Sequence, residues 1–218
     1  IAGFASTSNL EAGRRYGIPT AGTAAHAFTL VHPNERDAFR AQLRTLGPET
    51  TLLVDTYDTR QGITTAVECA RELGATGPGA IRIDSGDLPD EARRARVLLD
   101  SLGAGGTRIV VSGDLDEYAI ARVENHPGGR APIDAYGVGT QVVIGSGHPT
   151  AGFVYKLVAV DGSPVEKHSI GKATVGGTKT AWRVLDERGR ARGEVLRLDT
   201  GTPAGARPLQ QPLLQREY

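Results

Sequence analysis

Ala80-Ile81-Arg82-Ile83-Asp84-Ser85-Gly86-Asp87 is the stretch whose reading decides the fold. Three apolar residues and one arginine run straight into acids, a hydroxyl and a glycine, and a helical pattern over 90–102 follows at once. The same order recurs on both sides. Upstream, 17–21 leads into Gly22-Thr23-Ala24-Ala25-His26, and 51–54 into Asp55-Thr56-Tyr57-Asp58. Downstream, 108–111 leads into Ser112-Gly113-Asp114, and 132–136 into Gly137-Val138-Gly139-Thr140. Further helical patterns occupy 9–16, 34–46, 61–73 and 115–124. Short runs apolar on both faces, separated by amphipathic helices, predict parallel strands joined by right-handed crossovers. Successive units of this kind build either a (β/α) barrel or a doubly wound sheet.

Near residue 148 the pattern changes. Residues 153–160 read as a strand, Asp161-Gly162 as a hairpin turn, and 181–185 and 193–198 as strands joined through Glu187-Arg188-Gly189. The Gly-, Pro- and Gln-rich end, 201–212, reads as irregular. The expected division is an α/β portion over 1–148, carrying the polar loops, and a β-rich segment over 149–218.

A chain of 218 residues can bury a substantial core in one large α/β domain, with or without a small appendage. Lys plus Arg equals Asp plus Glu at 25 each, without the basic excess of a nucleic-acid or membrane-surface binder. The bases divide into 21 Arg and 4 Lys, which reads first as the base composition of the source genome. The lone cysteine, Cys69, excludes an internal disulfide and a Cys-rich metal site, and reads as a buried helical residue. No apolar run approaches the ~18 residues of a membrane helix, and no signal peptide is visible. The expected compartment is the cytoplasm. Ile1-Ala2-Gly3-Phe4 has no Met and enters at once a Ser/Thr/Asn turn, so the expectation is a chain cut in mid-domain.

Ligands of barrels and open α/β sheets bind at the carboxyl ends of the strands, so five successive loops aim polar groups at one face. Any one loop could simply cap a helix, Asp87 or Asp90 before the helix near 91, or Asp114 before Leu115. Five loops together point to a site. Ser112-Gly113-Asp114 and Gly137-Val138-Gly139-Thr140 place small residues where backbone N–H groups can approach a phosphate, although an isolated Gly-x-Gly is equally a tight turn. Asp55, Asp58, Asp84 and Asp87 offer hard oxygens for ribose hydroxyls or Mg²⁺. Arg82, inside a buried strand, requires a partner.

In this order, Ser6-Thr7-Ser8-Asn9, Gly22-Thr23-Ala24-Ala25-His26, Val54-Asp55-Thr56-Tyr57-Asp58, Arg82-Ile83-Asp84-Ser85-Gly86-Asp87, Ser112-Gly113-Asp114-Leu115 and Gly137-Val138-Gly139-Thr140 resemble the nicotinate phosphoribosyltransferase family. The resemblance covers about residues 3–160 and continues through Lys172–Arg183. It implies a partial irregular (β/α) barrel of the type II phosphoribosyltransferase kind with a β-rich C-terminal appendage. The implied reaction joins nicotinate to phosphoribosyl pyrophosphate, giving nicotinate mononucleotide for NAD biosynthesis, coupled to ATP hydrolysis. The implied assembly is a homodimer with shared active sites, and Mg²⁺ is the implied cofactor.

Carried onto this sequence, the resemblance makes His26 the histidine phosphorylated by ATP, a task suited to a nucleophilic imidazole. It places Arg82 near the pyridine ring and pyrophosphate, and Asp84 with Asp55 or Asp58 near ribose and metal. The implied catalytic residues are His26, Arg82 and Asp84, and the implied metal ligands Asp58 and Asp84. Substrate would meet Thr7 and Ser8 on the pyridine side, Asp55, Asp58 and Ser85, and a ribose–phosphate cradle of Gly113, Asp114, Gly137, Gly139 and Thr140. Related nicotinamide enzymes carry Asp at Ser8, whose hydroxyl here can donate to a carboxylate. The family usually has Gly at Ser6, and its N-terminal part, with an aromatic that stacks on the pyridine, has no counterpart in these 218 residues. His32, His126, His148 and His168 match no motif. Two alternatives stand beside this reading. One is a sugar-phosphate lyase or epimerase, against which counts the lack of any Lys before Lys156 for Schiff-base work. The other is a non-catalytic fragment or subunit that needs a second chain.

Overall fold

The computed structural model describes residues 3–144, 147, 149–151, 153–168 and 174–198, and the backbone of 206–208. It divides into two compact units, Ile1–Lys156 with Lys167–Ala173, and Leu157–Glu166 with Thr174–Tyr218. His148, Lys172 and the tail beyond 206–208 lie outside the described residues.

The first unit is built on four parallel strands, β1 (Thr51–Leu53), β2 (Ala80–Ile83), β3 (Arg108–Ser112) and β4 (Ala135–Gly137), hydrogen-bonded in the order β1-β2-β3-β4. The helices are α1 (Leu10–Tyr16), α2 (His26–Leu30), α3 (Glu35–Leu46), α4 (Thr59–Arg71), α5 (Leu88–Ser101), α6 (Glu117–Glu124) and α7 (Thr140–Val143). Helices α4 and α5 close their apolar faces on the sheet. Ile63, Val67 and Leu99 join Leu52, Ile81 and Ile109 in one buried core, and Cys69 is buried with them. Gly62 lets α4 approach β1, because a Cβ there would lie 2.2 Å from the Val54 carbonyl oxygen.

Local chemistry sets the helix starts. Asn9, Asn34, Asp58, Asp87 and Asp116 cap α1, α3, α4, α5 and α6, each side chain accepting the N–H three residues on. The caps move the starts of α4 and α5 two residues upstream of the sequence reading, and that of α6 two residues downstream.

Three strand expectations are corrected. Residues 17–21 form no strand; Thr20 makes only an isolated parallel bridge with Thr7, beside Pro19, which has no N–H to donate. Of 153–160 only Ala159–Val160 is strand, while Phe153 and Tyr155 are almost wholly exposed. That apolar run therefore marks a surface, not a core. Residues 206–208, read as irregular, form a strand. The four-stranded sheet establishes a mixed α/β fold; four strands do not by themselves close a barrel.

In the second unit β5 (Ala159–Val160) and β6 (Ser163–Pro164) pair through Asp161-Gly162. Both turn residues have positive φ, 48° and 78°, the requirement of a type I′ hairpin. A three-stranded antiparallel sheet, β7 (Thr180–Leu185), β8 (Ala191–Arg197) and β9 (Ala206–Pro208), runs in the order β8-β7-β9. Asp186 forms the β7–β8 turn by accepting from the N–H groups of Arg188 and Arg190. Among the described residues no helix is long and apolar enough to cross a membrane.

Candidate active site

Three neighbouring strand ends deliver one polar network. Along β2, Ile81 and Ile83 are fully buried, and the alternation turns the intervening Arg82 to the opposite face. Its Nε donates to Ser112 Oγ at 2.7 Å, one terminal nitrogen to Asp84 Oδ1 at 2.8 Å, and the other to Thr23 Oγ1. The Ser112 hydroxyl also donates to Asp84 Oδ1, at 2.6 Å. Burial alone would raise the Asp84 carboxyl, but His26, Ser112 and Arg82 outweigh it and hold this group well below the usual carboxylate range. Asp84 is therefore a fixed anion, and Arg82 has the partners that its place in a strand demands.

Asp55, at the exit of β1, is 1% exposed. Its Oδ2 accepts the Asp84 N–H at 3.0 Å and the Ser85 hydroxyl, which ties the β1 and β2 loops together. Its Oδ1 is buried without a hydrogen-bond partner among the described residues. Among the described residues, the basic side chain within 4 Å of it is His26, the first residue of α2. His26 Nε2 lies 3.9 Å from Asp55 Oδ1, 3.9 Å from Asp84 Oδ2 and 2.6 Å from Lys167 Nζ. His26 Nδ1 stands 3.1 Å from the buried Thr56 hydroxyl. Lys167 belongs to the same compact unit. Its segment is pinned to the β1 exit by the His168 N–H donating to the Thr56 carbonyl at 3.1 Å, with the His168 ring 6.2 Å from Tyr57.

After β3 the chain turns through Gly113, at φ 120°, and Asp114, at φ 52°. A Cβ on Gly113 would stand 2.8 Å from the Asp84 carbonyl oxygen, so only glycine lets this loop close on the acid. The structure thus brings together His26, Arg82, Asp84, Asp55 and Ser85, with Gly113 against them. Thr7 bridges Thr20 and accepts from the Asn9 N–H, while Ser8 is exposed and leaves the capping of α1 to Asn9. Asp58 and Asp87 cap helices, whereas Asp114 does not, since Asp116 caps α6. Gly137 ends β4, Gly139 precedes α7 and Thr140 opens it, all three exposed. The sequence reading assigned no side-chain role to Thr23 or Ser112 and none at all to Lys167.

Two further acidic features lie outside the network. Glu35, the first residue of α3, is buried, and its Oε1 has no hydrogen-bond partner among the described residues. Burial first, then the charges of Asp58 and Asp55, push its carboxyl up to about 7. Asp87, Asp90 and His126 offer three potential metal-ligand atoms within 4.8 Å of one another.

Two carboxylates, a guanidinium, an ammonium and an imidazole gathered at the carboxyl edge of a parallel sheet define an α/β protein with a charged cluster where such folds bind their ligands. No family model matches the chain. Its relatives are nonetheless consistent. It is 55% identical over 218 residues to nicotinate phosphoribosyltransferase pncB1 of Mycobacterium tuberculosis, covering 96% of this chain and 45% of that protein. It is 39% identical over 195 residues to the Bacillus subtilis nicotinate phosphoribosyltransferase, covering 86% and 39%. The crystal structure of human nicotinic acid phosphoribosyltransferase superposes with a TM-score of 0.52 at 25% identity, over 95% of this chain and 53% of that one. The chain belongs to the nicotinate phosphoribosyltransferase family, and it spans about half the length of the curated relatives it matches.

Proposed function

We propose that the protein carrying this chain forms nicotinate mononucleotide from nicotinate and phosphoribosyl pyrophosphate, coupled to ATP hydrolysis, within NAD biosynthesis. The observation that carries the proposal is the meeting of His26, at the start of α2, with Asp55, Asp84 and Arg82 at the carboxyl ends of β1 and β2. In the priming step an imidazole lone pair of His26 attacks the γ-phosphorus of ATP. The N–P bond forms, the P–O bond to ADP breaks, and Asp55 and Asp84 stabilise the positive charge that develops on the ring. In the synthetic step the pyridine nitrogen attacks C1 of the phosphoribosyl group. The C–N bond forms and the electron pair of the broken C–O bond leaves with pyrophosphate. Arg82, held by Asp84, Ser112 and Thr23, would face that leaving group. Water then cleaves the phosphohistidine.

Asp84 and Asp58 would hold Mg²⁺, an ion that takes one or two carboxylates together with substrate phosphates and water. Asp84 keeps Oδ2 clear of Arg82 and Ser112, and Asp58 uses only Oδ1 for its cap. When bound, the ion would neutralise phosphate charge. Gly113 and Asp114, Gly137, Gly139 and Thr140 would cradle the ribose phosphate, and Thr7 and Ser8 would flank the pyridine. The consecutive strand order supports a barrel arc, since a doubly wound sheet reverses its order at a switch point. A homodimer in the cytoplasm completes the proposal. The test is labelling of the full-length protein with γ-³²P-ATP. His26→Ala is expected to abolish the label and the ATP stimulation while slow nucleotide formation persists. Wild-type labelling of His26→Ala would refute the assignment.

A further inference from the structure

Lys167 is the residue of the network that no strand-end pattern announces. It is 9% exposed, and its ammonium sits 2.6 Å from His26 Nε2. An ammonium has three N–H donors and no acceptor, so that contact requires a lone pair on Nε2. The neutral ring must then carry its proton on Nδ1, where the Thr56 hydroxyl oxygen, 3.1 Å away, accepts it. Without the lysine the preference reverses. Asp55 Oδ1, buried and without a hydrogen-bond partner among the described residues, and Asp84 Oδ2 both lie 3.9 Å from Nε2 and would draw a proton to that nitrogen. Thr56 can serve either tautomer, because a hydroxyl both donates and accepts. Among the described residues the groups facing the imidazole are thus two carboxylates, one hydroxyl and one ammonium, and of these the ammonium selects between its nitrogens.

We propose that Lys167 is a positioning residue that holds the neutral His26 ring as the Nδ1–H tautomer, with its lone pair on Nε2. The inference concerns the resting ring and does not depend on whether His26 accepts a phosphoryl group. Arg82 spends one N–H of each nitrogen on Ser112, Thr23 and Asp84, and among the described residues no hydrogen bond runs from it to the imidazole. The lysine is thus the cationic donor in contact with Nε2 among the described residues.

The experiment is long-range ¹H–¹⁵N correlation on the full-length protein labelled with ¹⁵N-histidine, at a pH where the imidazoles are neutral, with His26→Gln identifying the His26 signals. The wild type is expected to show a protonated Nδ1 and an unprotonated Nε2. Lys167→Met, similar in length but unable to donate, is expected to move the proton to Nε2. Lys167→Arg, which still donates, is expected to keep the wild-type pattern. The Lys167→Met and Lys167→Arg spectra should otherwise superpose on the wild type, which shows that both variants fold. A wild type protonated on Nε2, or a Lys167→Met variant with the wild-type pattern, overturns the proposal. Neither result bears on ATP labelling of His26, so the two readings fail separately.

Discussion

Replacing Glu35 by Gln should make the protein more stable above neutrality and leave it unchanged in mild acid. Glu35 opens α3, buried, with Oε1 unpartnered among the described residues and with Asp58 and Asp55 adding negative charge nearby. Its carboxyl is pushed up to about 7 from an ordinary value of 4.5. Between those values the native state holds a proton that the unfolded chain has released. Stability therefore falls as pH rises from about 4.5 through about 7, and stays at the lower level above. At about 1.4 kcal/mol per pH unit the full loss is on the order of 3 kcal/mol. Gln preserves the shape and never ionises, so it removes the slope. Urea unfolding of wild type and Glu35→Gln at pH 4.5 and pH 8 measures the difference directly. Near-equal midpoints in acid and a variant stabilised by about 2 to 3 kcal/mol at pH 8 are expected. A variant less stable at pH 8, or a difference independent of pH, would show that the carboxylate has a partner in solution and that burial does not govern it.

Gly62→Ala should destabilise the protein by about 3 kcal/mol, the upper part of the range for overpacking, because its Cβ would meet backbone and not a movable side chain. Thermal unfolding would detect it, and an unchanged melting temperature would refute the close approach of α4 to β1. Ser8→Asp in the full-length protein tests the proposed choice of pyridine. Like charges about 4 Å apart cost on the order of 4 kcal/mol at an effective dielectric of about 20, and less at an exposed loop. kcat/KM for nicotinate should therefore fall at least about tenfold while nicotinamide use holds or rises. Unchanged nicotinate kinetics would place Ser8 outside the pocket.

What could be read ahead of the structure was whatever neighbouring residues decide. The alternation of apolar runs and amphipathic helices located β1, β2 and β3 within a residue or two, because these strands are buried on both faces and flanked by strong caps. The run at 153–160 failed for the complementary reason. Apolar composition signals a strand only where something covers it, and the exposure of Phe153 and Tyr155 is a tertiary fact. Lys167 was hidden by distance, meeting His26 across 141 residues in a segment with no regular pattern. Composition held one faint signal for it. In a chain of 21 arginines the four lysines, Lys156, Lys167, Lys172 and Lys179, all fall within 156–179. Base composition accounts for their scarcity but not for their clustering.

The two acidic loops show how much finer the reading could have been. Both have the form Asp-x-x-Asp, Asp55-Thr56-Tyr57-Asp58 after β1 and Asp84-Ser85-Gly86-Asp87 after β2. In sequence the four acids look equivalent, and each was open to either a capping or a ligand role. In the structure the roles divide by position. The first acid of each loop leaves the strand while the chain is still at the sheet edge, where adjacent parallel strands bring the loops together. Asp55 therefore accepts from Asp84 and Ser85, and Asp84 accepts from Arg82 and Ser112. The second acid stands one residue before a helix, with free N–H groups directly ahead of it, and Asp58 and Asp87 each accept the N–H three residues on. The spacing itself separates the roles, because three residues carry the chain from the strand end to the first turn of the helix. Parallel register then makes the first acids neighbours: Leu53 pairs with Arg82 and Arg82 with Val110, so Asp55, Asp84 and Ser112, each two residues further on, come level with one another. A repeated Asp-x-x-Asp after buried parallel strands thus encodes one network acid and one cap per loop. Of the acids in these two loops, Asp55 and Asp84 are the pair on which the His26 site is built.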